Sequence, residues 1–498
     1  MKEYFQIIKS NKSIQLLLIA GFIIQLIFCI TAVGYFHPDQ HFQIIEFSSF
    51  QLNKTNAAST VWELEKSIRP TIQVYIFSGF RILCEFININ DPFKQQTILR
   101  FIQGISLFLF LNYTAFLYFK KELKTLITVL LLINFTWILP YTRTIFSSEM
   151  FSVLFFFPAI VFFHKHYLNK SITPLKSILV GVLVAISFYI RFQLGFAILG
   201  FGIWLLCFEK QYKQTLYITI GFLIGVCINL LLDYSFYHKI VFTPYVYFQV
   251  NILQGVASSF GEKSFTYYLG VLLGVTFVPP ISILLLYQYF KISFQKINHP
   301  IIISLLFFIV GHFLIAHKEE RFLFTIINLI PFVLAFGGFK FLYSEHQFKK
   351  YIKILLSISL VLNFALLILF IITPYSQSVH FLKSFKQYFK QEKHQVYYHI
   401  RKPIETESKL PLTYYSSVLN NIEFINLSDS TNKNAQPEWL VSTFNDLRDH
   451  NLNPINIGYT PVLYSSTMLW SINKFLQKKN LNSINDIWVL YHLDKSIK

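Results

Sequence analysis

Charge is what this sequence has least of. Only 14% of its 498 residues are Asp, Glu, Lys or Arg, against roughly 25% in an ordinary soluble domain. The length would fit about three soluble domains, but so little charge excludes that reading. A hydrophobic share of 54% excludes disorder as well. Cysteine is scarce: Cys29, Cys84, Cys207 and Cys227 form no C-x-x-C pair and lie in or beside apolar stretches. A disulfide framework or zinc site is therefore not expected, and buried thiols are. There is no internal repeat and no extended low-complexity segment.

What is present is apolar and aromatic, with 56 Phe and 29 Tyr. The formal charge is +18, from 43 Lys and Arg against 25 Asp and Glu. In a soluble chain that excess would point to nucleic acid. Here the basic residues fall in short groups between apolar runs, such as Lys120, Lys121 and Lys124, or Lys349, Lys350 and Lys353. That is the pattern of cytoplasmic turns, so the expected partner is a lipid bilayer and not a nucleic acid.

The first apolar run, residues 13–33, follows Lys2, Lys9 and Lys12. It is long enough to span a membrane and too long for a cleaved signal. It reads as a signal-anchor with a cytoplasmic N-terminus. Further spans are expected near 97–118, 123–139, 149–165, 174–192, 194–208, 213–233, 266–290, 299–316, 322–342 and 352–373. The expected total is about eleven helices, within a range of 10–13. Segment 71–88 is apolar but carries Arg81 and Glu85, and it reads as re-entrant or interfacial. With the basic turns inside, loops 34–70, 140–148, 234–265 and 317–321 fall outside. Residues 1–373 thus form a transmembrane module, and residues 374–498 a soluble outer domain. Short apolar runs alternating with polar turns make that domain small and α/β. The short apolar runs lie at 438–442, 455–463 and 487–491, and a helix is expected to include 466–477.

Three polar clusters stand out at the expected outer face. His37-Pro38-Asp39-Gln40-His41-Phe42-Gln43-Ile44-Ile45-Glu46 follows the first span. Pro38 is expected to end that span and Asp39 to cap the next helix. Trp62-Glu63 and Arg69-Pro70 close the same loop. The second cluster is Arg143 with Ser147, Ser148 and Glu149, and Arg191 belongs to its layer. The third is His317-Lys318-Glu319-Glu320-Arg321-Phe322. Lys as a point charge and Arg as a bidentate fork suit a phosphate. Basic turns are disfavoured outside, which favours a bound anion over a plain charged hairpin. The loop from Asp233 through Thr243-Pro244, Asn251, Gly255 and Gly261 is rich in aromatic and amide groups, like a carbohydrate or headgroup surface.

These residues, in this order, resemble the Alg9-type mannosyltransferases, glycosyltransferase family 22. The likeness rests on His37-Pro38-Asp39, Gln43, Glu46, Trp62-Glu63 and Arg69-Pro70, and less closely on Arg143 to Glu149. It continues through Asp233, Tyr237, Thr243-Pro244, Asn251, Gly255 and Phe260-Gly261, and through His317 to Phe322 without a gap. Gln40 departs from the family's acidic residue, and Arg191 is followed by Phe-Gln instead of Pro-Thr. No match can be placed after residue 374.

The resemblance implies a type-C glycosyltransferase (GT-C) helical bundle and an inverting transfer of mannose. The donor would be polyprenyl-phosphate-mannose and the acceptor a glycan or glycolipid. Asp39 would be the catalytic base. His317, Lys318, Arg321, Arg191 and Arg143 would hold the donor phosphate. His37, Gln43, Glu46, Trp62, Glu63, Glu149 and Asn251 would orient the acceptor or the basic residues. No metal or other cofactor is expected, because the basic cluster supplies the charge at the leaving phosphate. The alternatives are another type-C enzyme (arabinosyl, aminoarabinosyl or protein O-mannosyl transfer), a lipid-linked sugar transporter, or a membrane anchor for the tail. The expected location is a bacterial plasma membrane.

Overall fold

The structure is a computed structural model. It describes residues 2–55, 62–343, 349–389, 393–398, 400–406, 409–427, 437–450, 454–479, 481 and 486–493. Part of the expected catalytic loop, residues 56–61, lies outside the described residues.

Among the described residues, five helices are long and apolar enough to cross a bilayer: Lys12–Thr31, Pro92–Phe119, Ser148–Leu168, Tyr212–Tyr237 and Lys349–Ile372. Leu123–Phe135, Pro174–Ile190, Phe192–Phe208 and Pro300–Leu314 are shorter and apolar. Each overlaps a run expected from sequence. Two expected spans are broken. Residues 266–290 form helices Tyr267–Thr276 and Ile281–Gln295, bent by 106°. Pro279 and Pro280 stand at the break, where neither can donate to a continuing helix. Residues 322–342 become four short pieces, Glu320–Leu323, Phe324–Ile327, Ile330–Phe336 and Lys340–Tyr343. Pro331 opens the third piece, and Gly338 at φ 67° separates it from the fourth. The segment near 71–88 is a 15-residue helix, Ile72–Phe86. At 1.5 Å per residue it reaches about 22 Å, short of the roughly 30 Å hydrocarbon core.

The first helix ends at Thr31, before Pro38. The chain turns at Gly34, whose φ is 94°. A Cβ there would stand 2.7 Å from the Ser376 Cβ, so glycine is required twice over. The helix that follows starts at Pro38 with His37, not Asp39, as its N-cap: the Asp39 N–H donates to His37 Nδ1 at 3.2 Å. Pro38 at the first helical position has no N–H to satisfy, so the cap serves the next residue and the Asp39 carboxylate is not used for it.

The chain divides into two compact units. The membrane unit comprises Met1–Thr31, Trp62–Ile76 and Leu99–Thr373. Its tightest packing is between Pro174–Ile190 and Tyr212–Tyr237, where Gly181 and Gly221 let the backbones touch. A Cβ on either would stand 2.0 Å from a carbonyl of the other helix, so small residues set this crossing.

The sheet unit comprises Ala32–Val61, Phe77–Ile98 and Pro374–Lys498. The expected division at residue 374 therefore does not describe the packing. Residues 32–55 and 77–98 are bound to the tail. The Ser376 N–H donates to Val33 O at 3.1 Å, Lys386 pairs with Asp91 at 2.7 Å, and the Tyr414 hydroxyl donates to Gln95 at 2.8 Å. Its sheet has strands β1 (His394–Tyr398), β2 (Ile422–Asn426), β3 (Trp439–Thr443), β4 (Tyr459–Tyr464) and β5 (Trp488–Leu493) in order β2-β1-β3-β5-β4. β1 runs parallel to β2 and β3, while β5 is antiparallel to β3 and β4. Leu440, Leu447, Tyr459, Val489, Tyr491 and Leu493 form its core. The helix expected at 466–477 is Thr467–Lys478, capped by Ser466.

Candidate active site

The membrane unit gathers most of the predicted cations around one carboxylate. Ser147 caps helix Ser148–Leu168, which places Glu149 in its first turn, where a negative charge meets the helix dipole favourably. Glu149 is buried, and its Oε1 lies 3.1 Å from Arg191 Nη1 and 3.8 Å from Arg321 Nη1. Arg191 stands just past the end of helix Pro174–Ile190. Both guanidiniums lie over the Phe322 ring, at 4.8 and 5.3 Å from its centroid. Flat guanidiniums stack well on an aromatic face. Glu319 bonds Arg321 from the other side and holds His317 Nε2 at 2.9 Å. The other nitrogen, His317 Nδ1, lies 2.7 Å from Gly261 O.

Two donors here are not neutralised. Arg191 Nη2 is buried with no hydrogen-bond partner. The buried Lys318 ammonium bonds only backbone carbonyls among the described residues, those of Ile315 and Lys263. Buried polar groups are normally satisfied, so these two mark a place for an anion.

Not every predicted residue joins this cluster. Arg143 is 1% exposed. It donates to Asn328 Oδ1 at 2.8 Å and to the Ile133 carbonyl, and so ties the broken segment after Phe324–Ile327 to helix Leu123–Phe135. Two of its donors are thus committed inside the bundle. Within the second cluster, the cations that Glu149 meets are Arg191 and, from the third cluster, Arg321. Asn251 donates to Tyr247 O one turn back, at 3.2 Å, and does not reach the cluster. Glu63 pairs with Arg69 at 3.3 Å. Trp62, beside it, is exposed.

A second membrane-unit carboxylate, Asp233, acts as a staple. Its Oδ1 accepts from the Thr71 N–H and hydroxyl at 2.9 and 2.7 Å, and its Oδ2 from the Thr243 hydroxyl at 2.7 Å. The sequence marked Asp233 and Thr243 as parts of one motif, but nothing in it showed that they fasten the end of the first loop.

In the sheet unit, Asp39 is one-third exposed, and its Oδ1 lies 3.7 Å from His37 Nδ1. Gln43 is half-buried one turn on. Glu46 is 1% exposed and fully engaged. It accepts from His41 Nε2 at 2.8 Å, from the Tyr414 N–H at 3.0 Å and from the Thr413 hydroxyl. Burial would raise its pKa, but His41, Thr413 and Tyr414 together hold it below the usual carboxylate range. The His41 ring stacks between Tyr35 and Tyr415, at 5.2 and 5.3 Å. Glu46 therefore fastens the loop to the tail and has no group left to orient an acceptor.

Among the described residues no group of three or more His, Cys, Asp or Glu could hold a metal ion.

The model of the Alg9-like mannosyltransferase family matches residues 16–406. GPI mannosyltransferase 3 of Debaryomyces hansenii is 25% identical over 371 residues, covering 70% of this chain and 63% of that protein. A Saccharomyces cerevisiae protein named Dol-P-Man:Man(7)GlcNAc(2)-PP-Dol alpha-1,6-mannosyltransferase is 29% identical over 210 residues, covering 41% and 36%. The chain thus spans less than two thirds of the length of these curated relatives. Among solved structures, ArnT from Cupriavidus metallidurans bound to undecaprenyl phosphate superposes with a TM-score of 0.53 at 10% identity, covering 96% of this chain and 97% of that one. This likeness shows the type-C glycosyltransferase fold.

Proposed function

Because the chain belongs to the Alg9-like mannosyltransferase family, we propose that it transfers mannose, with inversion, from a polyprenyl-phosphate-mannose to a hydroxyl of a glycan or glycolipid. An acceptor hydroxyl attacks the anomeric carbon in line, and the lipid phosphate leaves with the bonding electrons. The attacking oxygen must lose a proton, and the phosphate must be met by positive charge. Asp39 is the base. Its carboxylate is one-third exposed, unlike that of Glu46. Arg191, Lys318 and Arg321 bind the phosphate, His317 supports them through Glu319, and Glu149 positions the two guanidiniums. A phosphate is already a good leaving group, so no paired acid is needed, in contrast to the two-carboxylate hydrolases. The proposed chemistry calls for no metal.

The observation that carries this reading is the pair of guanidiniums held over Phe322 by one buried carboxylate, with a donor of Arg191 left unused. The reaction takes place on the extracytoplasmic or lumenal side, the side to which the basic-turn pattern assigns these loops. The relatives named above come from yeasts, and they give no support to a bacterial plasma membrane in particular.

The test is incubation of the purified protein in nanodiscs with polyprenyl-phosphate-mannose and a panel of glycolipid acceptors, read by mass spectrometry. A hexose added to an acceptor is expected. Transfer from a polyprenyl-phosphate-linked pentose but not from the mannose donor would replace this reading with another type-C activity.

A further inference from the structure

The sheet unit contains a cavity of about 340 Å³. That is within the range of roughly 300–1,000 Å³ usual for small-molecule sites. Its wall includes Pro38 and Phe42, which flank Asp39 on the same short helical stretch. The opposite lining comes from the tail: Gln377, Ser378, Thr406 and Trp488.

We propose that this cavity is an acceptor subsite that binds uncharged sugar residues of the glycan. The inference rests on the transfer reaction proposed above and adds where the acceptor is held. Two observations support it. Both amide atoms of Gln377 are buried without a hydrogen-bond partner among the described residues. An amide offers two donors and an acceptor, and leaving it unpaired is costly. A ligand hydroxyl would satisfy it. The second observation is the charge of the wall. Arg401 lines the cavity but is bound by Asp446 at 3.1 Å, by Asp486 and by the Thr443 hydroxyl at 2.6 Å. Glu405 and Asp486 also line it. The one guanidinium is therefore matched by carboxylates, and a phosphate would meet more repulsion than attraction. Neutral hydroxyls suit such a wall. Carboxylates and amides accept and donate to them, and rings such as Trp488 pack against sugar C–H faces.

Gln377→Leu tests this at low structural risk, because it removes no hydrogen bond from the folded protein. In transfer assays the acceptor KM should rise at least fivefold, while donor KM and kcat stay within twofold. Glu405→Gln, which alters a half-exposed pair with Lys402, should move acceptor KM in the same direction. Saturation-transfer NMR of the nanodisc protein with mannobiose, chitobiose and maltose gives a readout independent of turnover. At least one sugar should bind to wild type and lose its signal in Gln377→Leu, while inorganic phosphate should not compete. If Asp39→Asn abolishes transfer but Gln377→Leu leaves acceptor KM within twofold, the subsite is wrong and the reaction stands. If no transfer is found at all, the NMR result decides the cavity alone. Absence of binding by all three sugars, or competition by phosphate, overturns it.

Discussion

Glu149 and Glu46 are both 1% exposed carboxylates with a cationic or potentially cationic partner, yet they do opposite things. Glu46 has three donors directed at it, from His41, Thr413 and Tyr414. Both of its oxygens are taken up, while His41 Nδ1 is buried without a partner among the described residues, and it works as a fastener. Glu149 is shared by two arginines, and one of them keeps a buried, unpartnered Nη2. A carboxylate whose own oxygens are all taken up closes a structure. One that orients more positive charge than it neutralises prepares a site for a further anion. Burial alone does not separate the two cases; the number and the charge of the partners each carboxylate holds do.

The sharpest way to break this comparison lies with the third carboxylate, Asp39, which belongs to neither pattern. Asp39→Asn should lower kcat on the order of 10²–10⁴-fold, the usual worth of such a base, with thermal stability unchanged. Transfer within about threefold of wild type would remove it from the chemistry. Next in size, Arg321→Glu or Lys318→Glu should raise donor KM roughly tenfold or more, since each replaces one charge-assisted contact, of about 1.5–3 kcal/mol, with repulsion. An unchanged donor KM would mean that the cluster around Glu149 is as closed as that around Glu46.

The smallest effect is expected for Glu46→Gln, which should cost about 1–3 kcal/mol of stability and leave donor KM in place. The pH dependence carries a definite sign. Glu46 is held below the ordinary carboxylate range, so its contribution is complete above its unfolded pKa. That contribution is lost as pH falls through its depressed folded value. Wild type should therefore hold its melting temperature across neutral pH and lose it on the acid side more steeply than Glu46→Gln. Parallel acid limbs for the two proteins would show that the carboxylate is not the fastener.

The parts legible in the sequence were those written locally. Apolar runs marked the long apolar helices. The helix near 466–477 was legible, and the clusters at Asp39, Glu149 and His317–Phe322 were found from density of charge in an apolar chain. What was hidden depended on distant partners. The expected span at 322–342 is broken where Asn328 receives the Arg143 side chain, 185 residues away. Strands β1 and β2 escaped notice because their half-buried sequences, HQVYY and IEFIN, show no alternation. Arg143 and Arg191 are chemically equal in the sequence. Only the fold shows that one is enclosed by Asn328 and the Ile133 carbonyl while the other keeps a donor.

The link from Glu46 to Thr413 and Tyr414 also sets an order of events during synthesis. The partners are 367 and 368 residues apart. At about 5–20 residues per second, roughly 20–70 s pass between the translation of one and the other. The loop that bears Asp39 is thus made well before the segment that secures it. A ribosome that stalls or stops before residue 413 would leave the helices in place and the proposed catalytic carboxylate without its anchor.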